Sequence, residues 1–227
     1  MRVTFTGFEF VFDLSPDHVE VLEIENRRLF SRVCASLISD KREEAIEPFV
    51  YWKSAAKELS TREKPLIIVD PFNLPWADKR LLGALPARIN KEILEDEETR
   101  IVIDNLTREL AGRVFGLTLG MEAGYLFDVE WDTARYLKAF GFTVDSGEDG
   151  MLIDNLEEFF KLAADAAFPF PFIFINIKSF LDEKDMRTLY NVALHLGFSL
   201  LLVESNVDSS VYEMERKHRI DLQFLEY

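Results

Sequence analysis

The chain is poor in the residues on which most small-molecule catalysis rests. Of its 227 residues one is cysteine, Cys34, and three are histidine, His18, His195 and His218. A lone cysteine excludes an internal disulfide. With no histidine near it in sequence, Cys34 reads as a buried, inert thiol in an apolar helical stretch. Three scattered histidines give triad or histidine-based metal chemistry little material. There is no GxxxxGK[ST] run, and no glycine-rich turn joins a strand to a helix, so the amides that cradle phosphates in nucleotide hydrolases are missing. No apolar run reaches the length of a membrane span and no basic-then-apolar leader is present, which reads as a soluble cytoplasmic protein that is neither exported nor membrane-spanning. Positive charge is short as well, with 26 Lys and Arg against 41 Asp and Glu and a net charge of −15. Alone, this argues against nucleic-acid binding, because phosphate contacts need lysine and arginine. A ring or groove can nevertheless be basic inside and acidic outside, and a dense carboxylate population can hold calcium.

What is present is apolar and aromatic: 48% hydrophobic residues and twenty phenylalanines are ample for a core of wide helix–sheet contacts. The clearest organisation lies in Phe168–Glu204. Two continuous apolar runs, Phe172–Ile175 and Phe198–Val203, have the composition of strands buried on both faces. Between them Met186, Leu189, Tyr190, Ala193 and Leu194 recur on one helix face, with Asp182 and Asp185 as a start signal and Gly197 as a stop. Strand, helix, strand at this length is a right-handed βαβ unit. In a nucleotide-binding sheet Phe172–Asn176 would end in the acid that directs magnesium. Here it ends in Asn176, followed by Ile177 and Lys178, and an amide cannot replace that carboxylate.

Towards the amino terminus, Val3 and Phe5 share one parity and Phe8, Phe10 and Phe12 the other. The slip falls at Gly7, which predicts a bulge or tight turn in an antiparallel ribbon. Val19–Ile24 reads as a strand, Leu29 to Ile38 as an amphipathic helix capped by Asn26, and Pro48–Trp52 as another strand. The stretch after it carries Lys53, Lys57, Arg62 and Lys64, the longest basic-rich run in this third of the chain; on its own it reads as an exposed, solvated loop. Leu66–Val69 has the composition of a buried strand ending at Asp70-Pro71, where the acid is either functional or the start of a turn.

From Trp76 to Gly141 the pattern is helical, with Pro86 opening one helix and Val102, Leu106, Leu110, Val114 and Leu117 forming a stripe on a long one. Gly112, Gly116, Gly120 and Gly124 recur every fourth residue on another face. They mark either a smooth groove for a close helix partner, such as one in a second subunit, or a weak, bent helix ended by Gly124. Glu122, Asp128, Glu130 and Asp132 follow. Their spacing lacks the glycine and distal glutamate of an EF-hand, leaving an irregular calcium site or acids decorating a helix start. Phe142–Val144 reads as a brief strand and SGEDG as a turn. Leu152 to Ala163 reads as a helix, the segment 205–217 as polar and mobile, and Ile220, Leu222 and Phe224 as a closing strand.

These elements predict an α/β fold in which an ATPase-like sheet-and-helix head, residues 1–75 and 142–227, is interrupted by an α-helical arm, residues 76–141. The stretches VLEIENRRLFSRV, YLKAFGFTVD and FIFINIKSFLDEKDMRTLYNVALHLGFSLLLVES resemble the type II-A CRISPR-associated adaptation family known as Csn-two, in its short form. That resemblance implies a head similar to a nucleotide-binding ATPase without its active site. It further implies a homotetrameric ring whose basic hole holds double-stranded DNA and threads over free ends, stabilised by Ca2+ near the head–arm junction. The family has no known enzymatic activity and acts in spacer acquisition with the CRISPR integrase pair and the type II effector nuclease. Carried onto this chain, Glu122, Asp128, Glu130 and Asp132 become calcium candidates, and Lys53, Lys57, Arg62 and Lys64 become candidates for the DNA-facing lumen. Two rivals are a divergent nucleotide hydrolase built on Asp70 and Asn176, and a protein-only scaffold to which DNA is irrelevant.

Overall fold

The computed structural model describes the 227-residue chain except residues 55–56, 61–62 and 146–149. Contacts divide it into two compact units. The first comprises Met1–Trp76, Ser146–Ala164 and Phe168–Tyr227; the second comprises Ala77–Asp145 and Asp165–Ala167.

The chain opens with β1 (Arg2–Phe5), β2 (Val11–Asp13), β3 (Val19–Ile24) and α1 (Arg27–Ser39), followed by β4 (Phe49–Ser54), β5 (Lys57–Glu58) and β6 (Leu66–Ile68). The helices α2 (Lys79–Leu82), α3 (Leu85–Glu95), α4 (Glu97–Thr118) and α5 (Thr133–Ala139) come next. The chain closes with α6 (Leu152–Asp165), β7 (Phe172–Ile175), α7 (Glu183–His195), β8 (Leu200–Glu204) and β9 (Glu215–Ile220).

The first unit holds two sheets, an antiparallel one in the order β2-β1-β4-β5 and an all-parallel one in the order β6-β7-β8-β3-β9. Alternation along the parallel strands sorts side chains to two faces. On one, Leu22, Ile24, Ile173, Ile175, Leu201 and Val203 join Leu29, Val33 and Leu37 of α1 and Val3, Phe12, Phe49 and Tyr51 of the antiparallel sheet in one buried cluster. On the other, Phe172 lies edge-on to Phe159 and Phe160 of α6, with ring centroids 6.1 and 5.1 Å apart. The βαβ unit is confirmed: β7 pairs parallel with β8, Asp182 caps α7 through the Asp185 N–H at 2.8 Å, and Gly197 turns the chain at φ +80°. Gly7, at φ +94°, makes the turn between the antiparallel strands β1 and β2, as its parity slip predicts.

Four expectations are corrected. Phe142–Val144 is not a strand. Gly141, at φ +67°, ends α5 instead, with the Phe142 N–H bonded to the Leu137 carbonyl at 2.9 Å, a left-handed helix stop. The glycine-bearing helix ends at Thr118, so Gly120 and Gly124 lie beyond it, and a Cβ on any of the four glycines would meet nothing within 4 Å. Among the described residues no close packing explains them. The segment 205–217 is fastened, and its end is β9, which pairs parallel with β3. The final strand therefore stops at Ile220, and Leu222 and Phe224 are exposed in the turn beyond it. The expected SGEDG turn falls almost wholly outside the described residues. Among the described residues no helix is long and apolar enough to cross a membrane.

Candidate functional site

In open parallel sheets, ligands bind outside the carboxyl ends of the strands, where the loops into the helices supply amides. Here the connection from β3 to α1 is only Glu25 and Asn26. The Asn26 side chain itself accepts from the Arg28 and Leu29 N–H groups at 3.1 and 3.2 Å. Its amide nitrogen also donates to the Leu222 carbonyl at 3.4 Å. A short turn without glycine, its helix amides already bonded to its own side chain, has no room to wrap a phosphate. At the end of β7, Asn176 adopts a left-handed φ of 56° and its side-chain Oδ1 accepts from the Ser205 N–H at 2.8 Å, stitching the exits of β7 and β8 together. Asp70 accepts from the Phe72 N–H at 3.0 Å, the turn reading of that acid. Both residues on which the hydrolase rival depends thus have structural partners.

Next to these strand ends lies a buried charge network that periodicity does not reveal. Lys178 Nζ stands 2.7 Å from Glu215 and 3.1 Å from Asp208. Lys217 Nζ lies 3.8 Å from Glu23 and donates to the carbonyls of Asp208 and Ser210 at 2.7 and 2.6 Å, while the Tyr190 hydroxyl donates to Glu215. Asp208 N–H in turn donates to Glu23 at 3.1 Å. Glu204, only 2% exposed, accepts the Lys178 N–H at 3.2 Å. Burial pushes its carboxyl up to about 7, with Glu23 and Glu215 adding to the rise and Lys178 opposing it. On the opposite face, buried Glu20 holds both His18 and His218, at 2.8 and 2.7 Å. Burial works to raise its pKa, but the hydrogen bonds from His218 and His18 prevail and hold it below the usual carboxylate value. These two clusters fasten β9 and the segment before it. The sequence signal for them is faint: acids inside an otherwise apolar strand (Glu20, Glu23, Glu204), and charged residues at strand spacing in ERKHRI.

The candidate basic residues lie on the antiparallel sheet and its edge. Lys53, in β4, pairs with Glu63 at 3.3 Å, Lys57 is exposed in β5, and Lys64 pairs with Asp40 at 3.0 Å. Arg62 lies outside the described residues. Beneath them Arg42 donates to the Leu59 carbonyl, to the Ser60 carbonyl at 2.9 Å and to the Glu63 carbonyl at 3.4 Å.

The candidate calcium acids belong to the second unit. Asp128 and Asp132 both hold Arg135, at 2.8 and 3.4 Å, and Asp132 also caps α5 through the Arg135 N–H at 2.9 Å. Arg135 keeps the Asp128 carboxyl below its usual value. Glu130 gives its backbone N–H to Asp128 at 3.3 Å, and Glu122 lies in the irregular segment after α4. Among the described residues no three Asp, Glu, His or Cys side chains converge as a metal-binding group. Asp128 and Asp132 share the guanidinium of Arg135. The helix-start reading holds for Asp132. Beside them is an apolar cavity of about 660 Å³ lined by Ile103, Leu106 and Leu110 of α4 and by Trp131, Tyr136 and Phe140.

The fold defines a class before a family: an α/β protein with an all-parallel sheet whose phosphate-binding turn is closed. A family model for CRISPR-associated protein (Cas_Csn2) matches residues 44–221, most of the chain, and the chain belongs to that family. Among solved structures it is similar to the crystal structure of Stu0660 of Streptococcus thermophilus, with a TM-score of 0.59 and 13% identity over 97% of this chain and 74% of that one. Likeness at that identity speaks to the fold alone. No curated protein matches.

Proposed function

We propose that this protein binds double-stranded DNA, engaging its ends, as a non-catalytic homotetrameric ring that serves the acquisition of new CRISPR spacers in the cytoplasm. The observation that carries the non-catalytic half is the closed turn between β3 and α1, where Asn26 takes the amides a phosphate would need. Family membership supports the CRISPR role, with the integrase pair and the type II effector nuclease as partners. The exposed apolar stripe of α4 supports assembly. Lys53, Lys57, Arg62 and Lys64 are the proposed phosphate contacts, so binding is insensitive to sequence and falls steeply with salt. Calcium enters only as a ligand of the assembled state, with Glu122, Asp128, Glu130 and Asp132 as donors once Arg135 releases Asp128 and Asp132.

A gel-shift comparison of linear with closed-circular duplex, with calcium and with chelator, tests this, alongside sizing of the protein under both conditions. Retention of linear DNA and a calcium-dependent rise in mass are expected. Absence of binding to either DNA form would overturn the reading. One observation favours the protein-only scaffold instead: Lys53 and Lys64 already hold Glu63 and Asp40. Charge reversal at Lys53 and Lys57 separates the two, abolishing DNA retention in the first case and changing nothing in the second.

A further inference from the structure

Three features of the first unit that have no role so far meet at one corner, where α1 ends. Asp40 and Arg42 both stand in the left-handed region, at φ 50° and 53°, a conformation that side chains other than glycine adopt at a cost. Asp40 Oδ1, Arg42 Nε and the Tyr51 hydroxyl are buried without a hydrogen-bond partner among the described residues, although the first two are 3.7 Å apart. Burial, reinforced by the Asp40 carboxylate, pushes the Tyr51 hydroxyl up, so it stays protonated. The Arg42 guanidinium lies 5.4 Å from the centre of the Tyr51 ring, and its fork reaches the carbonyls of Leu59, Ser60 and Glu63. Asp40 meanwhile grips Lys64.

Strain and unsatisfied polar atoms at one place call for a compensating purpose, and the visible product of the corner is a gripped chain segment. A planar fork can hold several carbonyls at once where a lysine cannot. From this geometry we infer that Asp40 and Arg42 are positioning residues. They hold the carbonyls of Leu59, Ser60 and Glu63 and the Lys64 side chain, so that Lys64 and the neighbouring Lys57 meet a polyanion as an ordered group. This rests on the DNA reading above and adds to it the device that presents the contacts. Arg42 itself touches no phosphate in this scheme, since its Nη1 and Nη2 donors face carbonyls and its Nε is buried.

The test compares wild type with Arg42→Gln and Arg42→Lys by hydrogen exchange across residues 57–64 and by duplex binding over a range of salt. Both variants are expected to exchange about tenfold faster in that segment and to bind duplex about tenfold more weakly, with a shallower salt slope. Charge without the fork does not restore the grip. Variants that melt lower but keep wild-type affinity, salt slope and protection would reduce the corner to a structural one and overturn the inference. A wild type that binds no duplex overturns the underlying reading instead, and that arm is read before any variant is made.

Discussion

The two units bury their apolar residues in opposite ways. In the first, every residue of β3, β7 and β8 is buried, and α1, α6 and α7 each press an apolar face inward. In the second, α4 runs for 22 residues without burying one, and Leu106 and Leu110 remain 60% and 59% exposed. A helix this long with an apolar stripe left in water is the surface on which the proposed assembly rests. The difference teaches where to look for each kind of information. The first unit carries a self-sufficient core, and the second carries an apolar stripe that the described residues of the chain leave exposed.

The strongest way to break that comparison is to charge the stripe. Leu106→Glu with Leu110→Glu is expected to weaken assembly by about a hundredfold or more, because two large apolar groups at an interface core are worth roughly 3 kcal/mol together at the least. Sizing should then show a monomer, while the thermal transition of the first unit stays where it was. An unchanged elution volume for the double variant would mean that the stripe has no covering partner.

A smaller effect tests how self-sufficient the first unit is, since its buried charges are not balanced. Among the described residues, Glu23, Glu204, Asp208 and Glu215 share a network with two cations, Lys178 and Lys217. Glu204, at about 7 against an ordinary 4.5, binds its proton more tightly folded than unfolded. Stability therefore falls as pH rises from 4.5 to 7, and the loss is complete above 7. Glu20 runs the other way: its depressed value gives stability that is present above 4.5 and is lost as pH falls through the folded value. Glu204→Gln keeps an acceptor for the Lys178 N–H and has no proton to lose. It is expected to be more stable than wild type at pH 8 by on the order of 2–3 kcal/mol and about equal to it at pH 5. Denaturant unfolding at the two pH values measures this, and a variant less stable at pH 8 would contradict it.

The same contrast explains what could be read in advance. The βαβ unit was legible because its runs are continuous, its helix has a clean period, and Asp182 and Gly197 mark its limits. Asn26 was legible as a cap, though not as the residue that closes the phosphate turn, because a cap and a plug look alike until the turn length is known. β9 was not legible. ERKHRI has no apolar alternation, and it is a strand because Glu20, Glu23 and Glu25 on and just beyond β3 answer His218, Lys217 and Arg219 across the ladder. That is pairing between distant segments, which no local window contains. For the basic stretch, sequence located the charges but could not supply Asp40, Arg42 and Glu63, which decide how those charges are held.

The smallest expected effect concerns the glycines of α4. Gly112 and Gly116 sit inside the helix, and a Cβ on either would meet open space. Glycine in a helix interior costs about 1 kcal/mol relative to alanine, so Gly112→Ala should stabilise the second unit by about that amount. Slower amide exchange along α4 would report it. At 100° per residue, position 112 lies roughly 120–160° around the helix from Leu106 and Leu110. Alanine there should therefore leave assembly as it was if the apolar stripe is the seam. If Gly112→Ala instead lowers the assembled fraction while the helix gains protection, a partner backbone approaches the glycine side, and the seam lies on the opposite face of α4 from the one its hydrophobic residues mark.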